Sequence, residues 1–297
     1  MSQAKRPKVG VIGLGQMGQG IARNLDRSGL LVAASDHAEG AFEKVGLSAS
    51  ALNLSGQSLS DQIDVLLCAV PSTTEIDAAL SRCRAERGQL VVDLTTSDPM
   101  RSRALAEDLA QRGFRYLDAA MTGGAAGADA GTLTLMVGGD PADLANAQPV
   151  FDVIANQVFH LGPVGAGHAM KLVHNMILHS SFMATCEGLR LADRAGLDLD
   201  TAVAVLNAGN ARSFVTEVRF PRDILSGTMN ARSVVGNLEK DLGLAVGFAT
   251  ANGAPVPYGT MTHRLLAGAL AQGQGKADFS QLFPLYEELA TKMEQKP

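Results

Sequence analysis

Two kinds of apolar pattern alternate along the first half of the chain. "KVGVIG", "LLVAASD", "IDVLLCAV", "QLVVDLTT", "FRYLDAAM", "GTLTLMVGG" and "QVFHLG" are short, nearly unbroken apolar runs. Such runs predict strands buried on both faces. Between them, "QMGQGIARNLDRSG", "STTEIDAALSRC" and "PMRSRALAEDLAQRG" show helical spacing. Strand and helix in alternation predict an α/β fold, a doubly wound, mostly parallel sheet covered by helices. The alternation stops near Gly162, and from Gly167 onward only Ala/Leu-rich helical patterns remain. Residues 1–165 are therefore expected to form the sheet domain and residues 166–297 an all-helical C-terminal domain. In the long run that opens "GAGHAMKLVHN", Leu172, Val173, Met176 and Ile177 form an apolar face. Lys171 and Asn175, four apart, share a different one.

The first strand runs into Gly13-Leu14-Gly15-Gln16-Met17-Gly18, a G-x-G-x-x-G turn that opens a helix. In such a turn the first glycine permits the bend, the second lets backbone approach a pyrophosphate, and the third lets helix and strand pack closely. The free N–H groups and positive dipole of the helix then face the phosphates. Asp36 ends the second strand, where a carboxylate binds a ribose 2′-hydroxyl and repels a 2′-phosphate. A dinucleotide site of the Rossmann type is predicted, with NAD preferred over NADP. His37 follows Asp36, and when protonated it would weaken that preference. Ligands of open α/β sheets sit beyond the carboxyl ends of the strands. Ala69, Val70 and Pro71 after the third apolar strand, and Thr96 after the fourth, are thus further cofactor candidates, although turn chemistry alone also explains them.

Composition removes several other readings. The 297 residues carry a formal net charge of -5 and no block of Lys or Arg, so neither nucleic acid nor an anionic membrane is an expected partner. The basic start "MSQAKRPK" before "VGVIGLG" resembles a leader, but the apolar part is better read as the first strand of the sheet. Three scattered cysteines predict reduced thiols and a cytoplasmic setting. The six histidines form no ligand-spaced set, and no metal is expected.

Thr122-Gly123-Gly124 ends the fifth apolar strand. A hydroxyl and two adjacent N–H groups with little bulk can form an anion-binding concavity, or the stretch is a glycine-rich hairpin. A lysine on a helix usually points into water, and whether Lys171 does depends on what the rest of the chain builds around it.

At this point the motifs are familiar together. "GLGQMG", "DAAMTGGAAGADAGTLTLMVGG", "GAGHAMKLVHN" and "NLEKDLGLA" occur in this order over nearly the whole chain. The chain resembles the β-hydroxyacid dehydrogenases, the family of 3-hydroxyisobutyrate dehydrogenase and tartronate semialdehyde reductase, whose cofactor domain is shared with 6-phosphogluconate dehydrogenase. The resemblance implies Lys171 as general acid/base, Asn175 as a substrate-binding residue, carboxylate contacts from Thr122, Gly123 and Gly124, and a cofactor-side Lys240. It implies interconversion of a short β-hydroxy acid and its semialdehyde or keto acid. Two departures stand out: Thr122 where serine is usual, and His174-Asn175 where two asparagines are common. Imine or ketone reduction on the same fold, and dinucleotide binding without catalysis, are the alternatives. Relatives doing imine chemistry replace the lysine. A role for Arg212 and Phe214 at the substrate is a weaker expectation, as are polar roles for His174 and His179. The apolar content of the helical half points to a homodimer or homotetramer.

Overall fold

The computed structural model describes residues 6–48 and 51–294; the first part of the basic start, residues 1–5, lies outside the described residues. Two compact units are present, Met1–Lys171 and Leu172–Pro297.

The first unit is built on strands β1 (Val9–Ile12), β2 (Leu31–Ser35), β3 (Leu52–Asn53), β4 (Val65–Cys68), β5 (Leu90–Asp93), β6 (Arg115–Thr122), β7 (Leu133–Gly138) and β8 (Ala155–His160). Their order in the sheet is β3-β2-β1-β4-β5-β6-β7-β8. Every pairing is parallel except β6 with β7, which is antiparallel. Seven of these strands were expected from the apolar runs. The added one, β3, is two exposed residues long and too short to show a pattern.

The unbroken apolar runs have a direct physical cause. Val65 and Leu67 of β4 enter one core cluster with Ile21, Leu25, Val150 and Phe151. Leu66 and Cys68 of the same strand enter another with Leu59, Ile76, Leu80, Leu105 and Leu109. Alternate residues point to opposite faces, and both faces are covered. The helices on this unit are α1 (Gly18–Arg27), α2 (Ala41–Val45), α3 (Gly56–Gln62), α4 (Thr73–Leu80), α5 (Pro99–Gln111), α6 (Gly124–Ala130) and α7 (Pro141–Ile154). The α1 and α7 side chains fill the first cluster; those of α3, α4 and α5 fill the second. Ser72, Asp98 and Asp140 start three of them by accepting N–H bonds from Thr74, Met100 and Ala142. Pro99 and Pro141 occupy first-turn positions that need no N–H.

A long helix, α8 (Ala166–Arg194), contains the division between the units. The second unit continues with α9 (Leu199–Ala208), a π-helical segment (Val215–Leu225), α10 (Val235–Ala251), α11 (Pro257–Ala271), two single 3₁₀ turns and α12 (Leu282–Glu294). Phenylalanines pair within its largely aliphatic core. Phe182 of α8 meets Phe279 edge-on at 5.1 Å, and Phe220 meets Phe283 in the same way at 5.2 Å. No helix among the described residues is long and apolar enough to cross a membrane.

Candidate functional site

The order β2-β1-β4 reverses the chain's winding at β1, so a crevice opens between the carboxyl ends of β1 and β4. The glycine turn leads out of β1 there. Each of its glycines is needed for a different reason. Gly13 has φ of +91°, and a Cβ on it would drive into the Ala69 carbonyl. A Cβ on Gly18 would drive into the Gly13 carbonyl, so α1 could not close on the strand. Gly15 has nothing within 4 Å of a Cβ, an open approach to bare backbone. That open space beside the start of α1 fits a pyrophosphate. Leu14 is buried, Gln16 is exposed, and Met17 packs against the sheet core.

Asp36 lies one residue past β2. Its Oδ2 accepts the Leu14 N–H at 2.6 Å and its Oδ1 the Ala38 N–H at 2.8 Å. Burial works against its charge, but these N–H bonds and the neighbouring His37 prevail and hold the carboxyl below its ordinary value. His37 itself projects outward, 96% exposed, with Nδ1 3.4 Å from Asp36 Oδ1. Ala69 donates its N–H to the Ile12 carbonyl, which sets the strand-to-loop exit beside the glycine turn. Val70 and Pro71 follow it, and Thr96 lies in the loop after β5.

Thr122 is the last residue of β6, paired with Thr134. Gly123 and Gly124 have φ of +120° and +62°. The segment after them is α6, a helix where the glycine-rich composition left a hairpin open. This helix is held on α1. Asn24 donates to the Ala128 carbonyl at 2.8 Å, Arg23 pairs with Asp129 at 2.8 Å, and Gly20 has no room for a side chain against Ala128 and Asp129.

Lys171 ends the first unit and is only 9% exposed. Here the helical face read from the sequence is corrected. Of the four apolar residues assigned to one face, Leu172 is buried and Met176 partly so, but Val173 is 38% and Ile177 62% exposed. The buried stripe runs instead through His168, Lys171, Leu172, Asn175 and His179, then Phe182, Met183, Cys186 and Leu189. Polar residues occupy its first half, a placement that periodicity assigns to solvent because burying polar groups is costly unless they are paired.

The pairing is visible. In the second unit, Asn175 donates from Nδ2 to Asp241 Oδ2 at 2.7 Å. His179 Nε2 stands 3.9 Å from the same oxygen, and Lys240 Nζ 3.3 Å from Asp241 Oδ1. His174 Nδ1 is 3.0 Å from Asn175 Oδ1. Asp241 is the residue that sequence reading missed; its signal was the acid beside Lys240 in "EKDLGLA". Asn175, Lys240 and Asp241 thus share the second unit, while Thr122, the glycine turn and Lys171 share the first. Arg212 is mostly exposed and lies 3.7 Å from Glu217, and Phe214 is half exposed under Arg219.

Two family models match the chain in succession. Residues 8–162 match the model of the NAD-binding domain of 6-phosphogluconate dehydrogenase. Residues 165–286 match that of the NAD-binding domain of NADP-dependent 3-hydroxyisobutyrate dehydrogenase. A 2-(hydroxymethyl)glutarate dehydrogenase of Eubacterium barkeri is 31% identical, over 96% of this chain and 96% of its own. The mitochondrial 3-hydroxyisobutyrate dehydrogenase of Homo sapiens is 30% identical over 98% of this chain and 90% of its own. The structure of Mycobacterium tuberculosis 3-hydroxyisobutyrate dehydrogenase with L-serine is similar with a TM-score of 0.85. Its identity is 26%, covering 94% of this chain and 99% of that one.

Proposed function

The chain belongs to the β-hydroxyacid dehydrogenase family and is an NAD(P)-dependent oxidoreductase acting on CH–OH donors; from that premise we propose that it oxidises a short β-hydroxy acid with NAD, Lys171 taking the hydroxyl proton. The observation that carries this reading is the burial of Lys171, whose side chain, as the neutral amine, is a proton acceptor on the enclosed stripe of α8. An enclosed lysine is far more costly than an exposed one, and proton transfer is a use that repays the cost.

The three ligand names among the relatives support the substrate class. 2-(Hydroxymethyl)glutarate, 3-hydroxyisobutyrate and L-serine each carry a primary hydroxyl on the carbon β to a carboxylate. In this reading Thr122 Oγ1 and the N–H groups of Gly123 and Gly124 hold the carboxylate. Asn175 Nδ2 or Oδ1 holds the substrate oxygen in line, with Asp241 fixing the amide. The nicotinamide, when bound, supplies hydride acceptance. Lys171 Nζ accepts the hydroxyl proton in oxidation and returns it in reduction. Gly13, Gly15 and Gly18 hold the pyrophosphate, with Leu14, Gln16 and Met17 completing the turn. Ala69, Val70, Pro71, Thr96 and Lys240 line the remainder of the cofactor. Asp36 takes the ribose hydroxyls and disfavours the 2′-phosphate of NADP.

In this assignment residues 1–165 form the dinucleotide-binding domain, which also supplies the carboxylate turn, and 166–297 form the substrate and dimerisation domain, which supplies Lys171, Asn175 and the cofactor-side Lys240. The exposed Ile177, Leu191, Val205 and Tyr258 of the helical unit support a homodimer or homotetramer. The three free, buried cysteines, Cys68, Cys83 and Cys186, support a cytoplasmic setting. The test is a panel of hydroxyisobutyrate, glycerate, serine and threonate, assayed with NAD and with NADP at alkaline pH. Reduction of NAD by at least one acid is expected; no turnover with any β-hydroxy acid overturns the reading.

A further inference from the structure

The first turn of α8 rests on a buried polar assembly that the proton-transfer reading leaves unused. Asp118 of β6, fully buried, gives both oxygens to this turn. Its Oδ1 accepts the Gly165 N–H at 2.7 Å and its Oδ2 the His168 N–H at 2.8 Å. Two glycines make the approach possible. A Cβ on Gly138 would stand 2.6 Å from Asp118 Oδ1, and one on Gly167 would drive into the Met136 carbonyl.

The His168 side chain, also fully buried, continues the assembly. Its Nδ1 lies 2.6 Å from Ser102 Oγ on α5, and its Nε2 lies 3.6 Å from Asp93 Oδ1 at the end of β5. Asp93 also accepts the Thr95 N–H at 2.9 Å and the Tyr116 hydroxyl at 2.8 Å. Burial and the nearby Asp93 push the Tyr116 phenol well above its ordinary value, so it stays a donor. Among the described residues Nε2 makes no hydrogen bond, and the Asp93 carboxylate faces it.

For a neutral ring the Ser102 hydroxyl hydrogen decides the tautomer. The Asp98 carbonyl at 3.1 Å, His168 Nδ1 and the Tyr116 oxygen are each in its reach. Given to Asp98 or Tyr116, it forces the ring proton onto Nδ1 and turns the bare Nε2 lone pair toward Asp93. Given to Nδ1, it leaves Nε2–H facing the Asp93 carboxylate 3.6 Å away, too long for a hydrogen bond but favourable in sign. Serine, histidine and aspartate then stand in the order used by hydrolases. All three are fully buried, so no substrate reaches the serine. The order acts as a strut between α5, β5 and α8.

We propose that His168 is a positioning residue for Lys171: braced by Ser102 and Asp93, and seated by Asp118, it fixes the first turn of α8 and hence the direction in which the Lys171 side chain leaves the helix. The inference rests on the reading of Lys171 as proton acceptor. Lys171 is three residues beyond His168 on the same buried stripe, so rotation or fraying of that turn displaces its Nζ. A misplacement of about 1 Å costs on the order of a hundredfold in rate.

The full-length chain is tested as His168→Leu, His168→Gln, Ser102→Ala and Lys171→Ala, each below its own melting temperature. Turnover, KM, NADH titration and amide hydrogen exchange of residues 165–171 are measured. His168→Leu and Ser102→Ala are expected to lower kcat by about ten- to a hundredfold, with NADH affinity kept and exchange in 165–171 accelerated. His168→Gln, whose amide offers an acceptor and a donor, restores most of the kcat. Unchanged exchange in His168→Leu overturns the strut. Faster exchange with an unchanged kcat, or equal losses in the Leu and Gln variants, overturns positioning. A kcat loss confined to Lys171→Ala overturns this proposal alone, whereas full turnover in Lys171→Ala overturns the lysine reading and this proposal together.

Discussion

The Asp36 carboxylate closes on the Leu14 N–H at 2.6 Å, tying the end of β2 to the glycine turn after β1. This bond places a fixed negative charge at the edge of the cradle. NAD is expected to be preferred over NADP by kcat/KM. The double change Asp36→Ser with His37→Arg should move the ratio toward NADP by about tenfold or more, or roughly 1.4 kcal/mol. Equal kinetics with NADP in the unaltered chain would refute it. Because the folded Asp36 is held below 3.8, its stabilising contribution is present above that value and is lost only as pH falls below it. The part of the cofactor ratio set by Asp36 should therefore hold across the neutral and mildly acidic range; a weakening there that His37→Ala removes belongs to protonated His37, and one that persists in His37→Ala contradicts the assignment.

The glycines of the turn separate stability from binding. Gly15→Ala has space for its methyl and no positive φ to strain, so the melting temperature should hold while NADH affinity falls by about tenfold through lost backbone approach. Gly18→Ala has no space, and should lose stability by about 1–3 kcal/mol in addition. Thermal melts and NADH titrations of the two variants decide the matter; indistinguishable pairs of results would show the cradle is misread.

Lys171→Ala is expected to lower kcat by about 10² to 10⁴, the usual scale of a general acid/base. NADH should still bind, because the glycine turn and Asp36 are untouched. Near-normal turnover would sink the mechanism.

The carboxylate contact is best probed at Thr122. Gly123 sits at φ of +120° with Leu133 3.3 Å from a would-be Cβ, so a valine there mixes backbone strain with blocked access. Thr122→Ala should reduce kcat/KM by about tenfold and Thr122→Ser should not, since the serine keeps the hydroxyl. The methyl ester of an active acid should be worse than the acid by roughly a hundredfold in the unaltered chain. An ester that performs as well as the acid would make the turn a purely structural one.

The alternation of strand and helix was legible because β4 and β5 are buried on both faces and admit almost nothing polar. The glycine turn was legible because three distinct steric demands leave a fixed spacing. The solvent side of α8 was not. Hydrophobic periodicity ranks side chains by transfer cost, and it places Lys171, Asn175 and His179 outside. They lie inside because partners far away in sequence satisfy polar groups there, as Asp241 does for Asn175 across 66 positions. Asp93 and Asp118, acids within apolar strands, and Asp241 beside Lys240 were the hints of such partners that the sequence carried. The π-helical segment, with Pro221 inside it, has no pattern of its own to announce it.

The seating of α6 on α1 has a consequence for how this chain tolerates change over generations. Gly20, Arg23 and Asn24 belong to the helix that follows the glycine turn, and Ala128 and Asp129 to the helix that follows the Thr122 turn. A drift at Gly20 pushes directly on Ala128 and Asp129, and a lost Asp129 removes the ion pair of Arg23. Substitutions on either side are therefore epistatic: each is neutral or harmful according to its partner, and the two turns inherit their changes as one block.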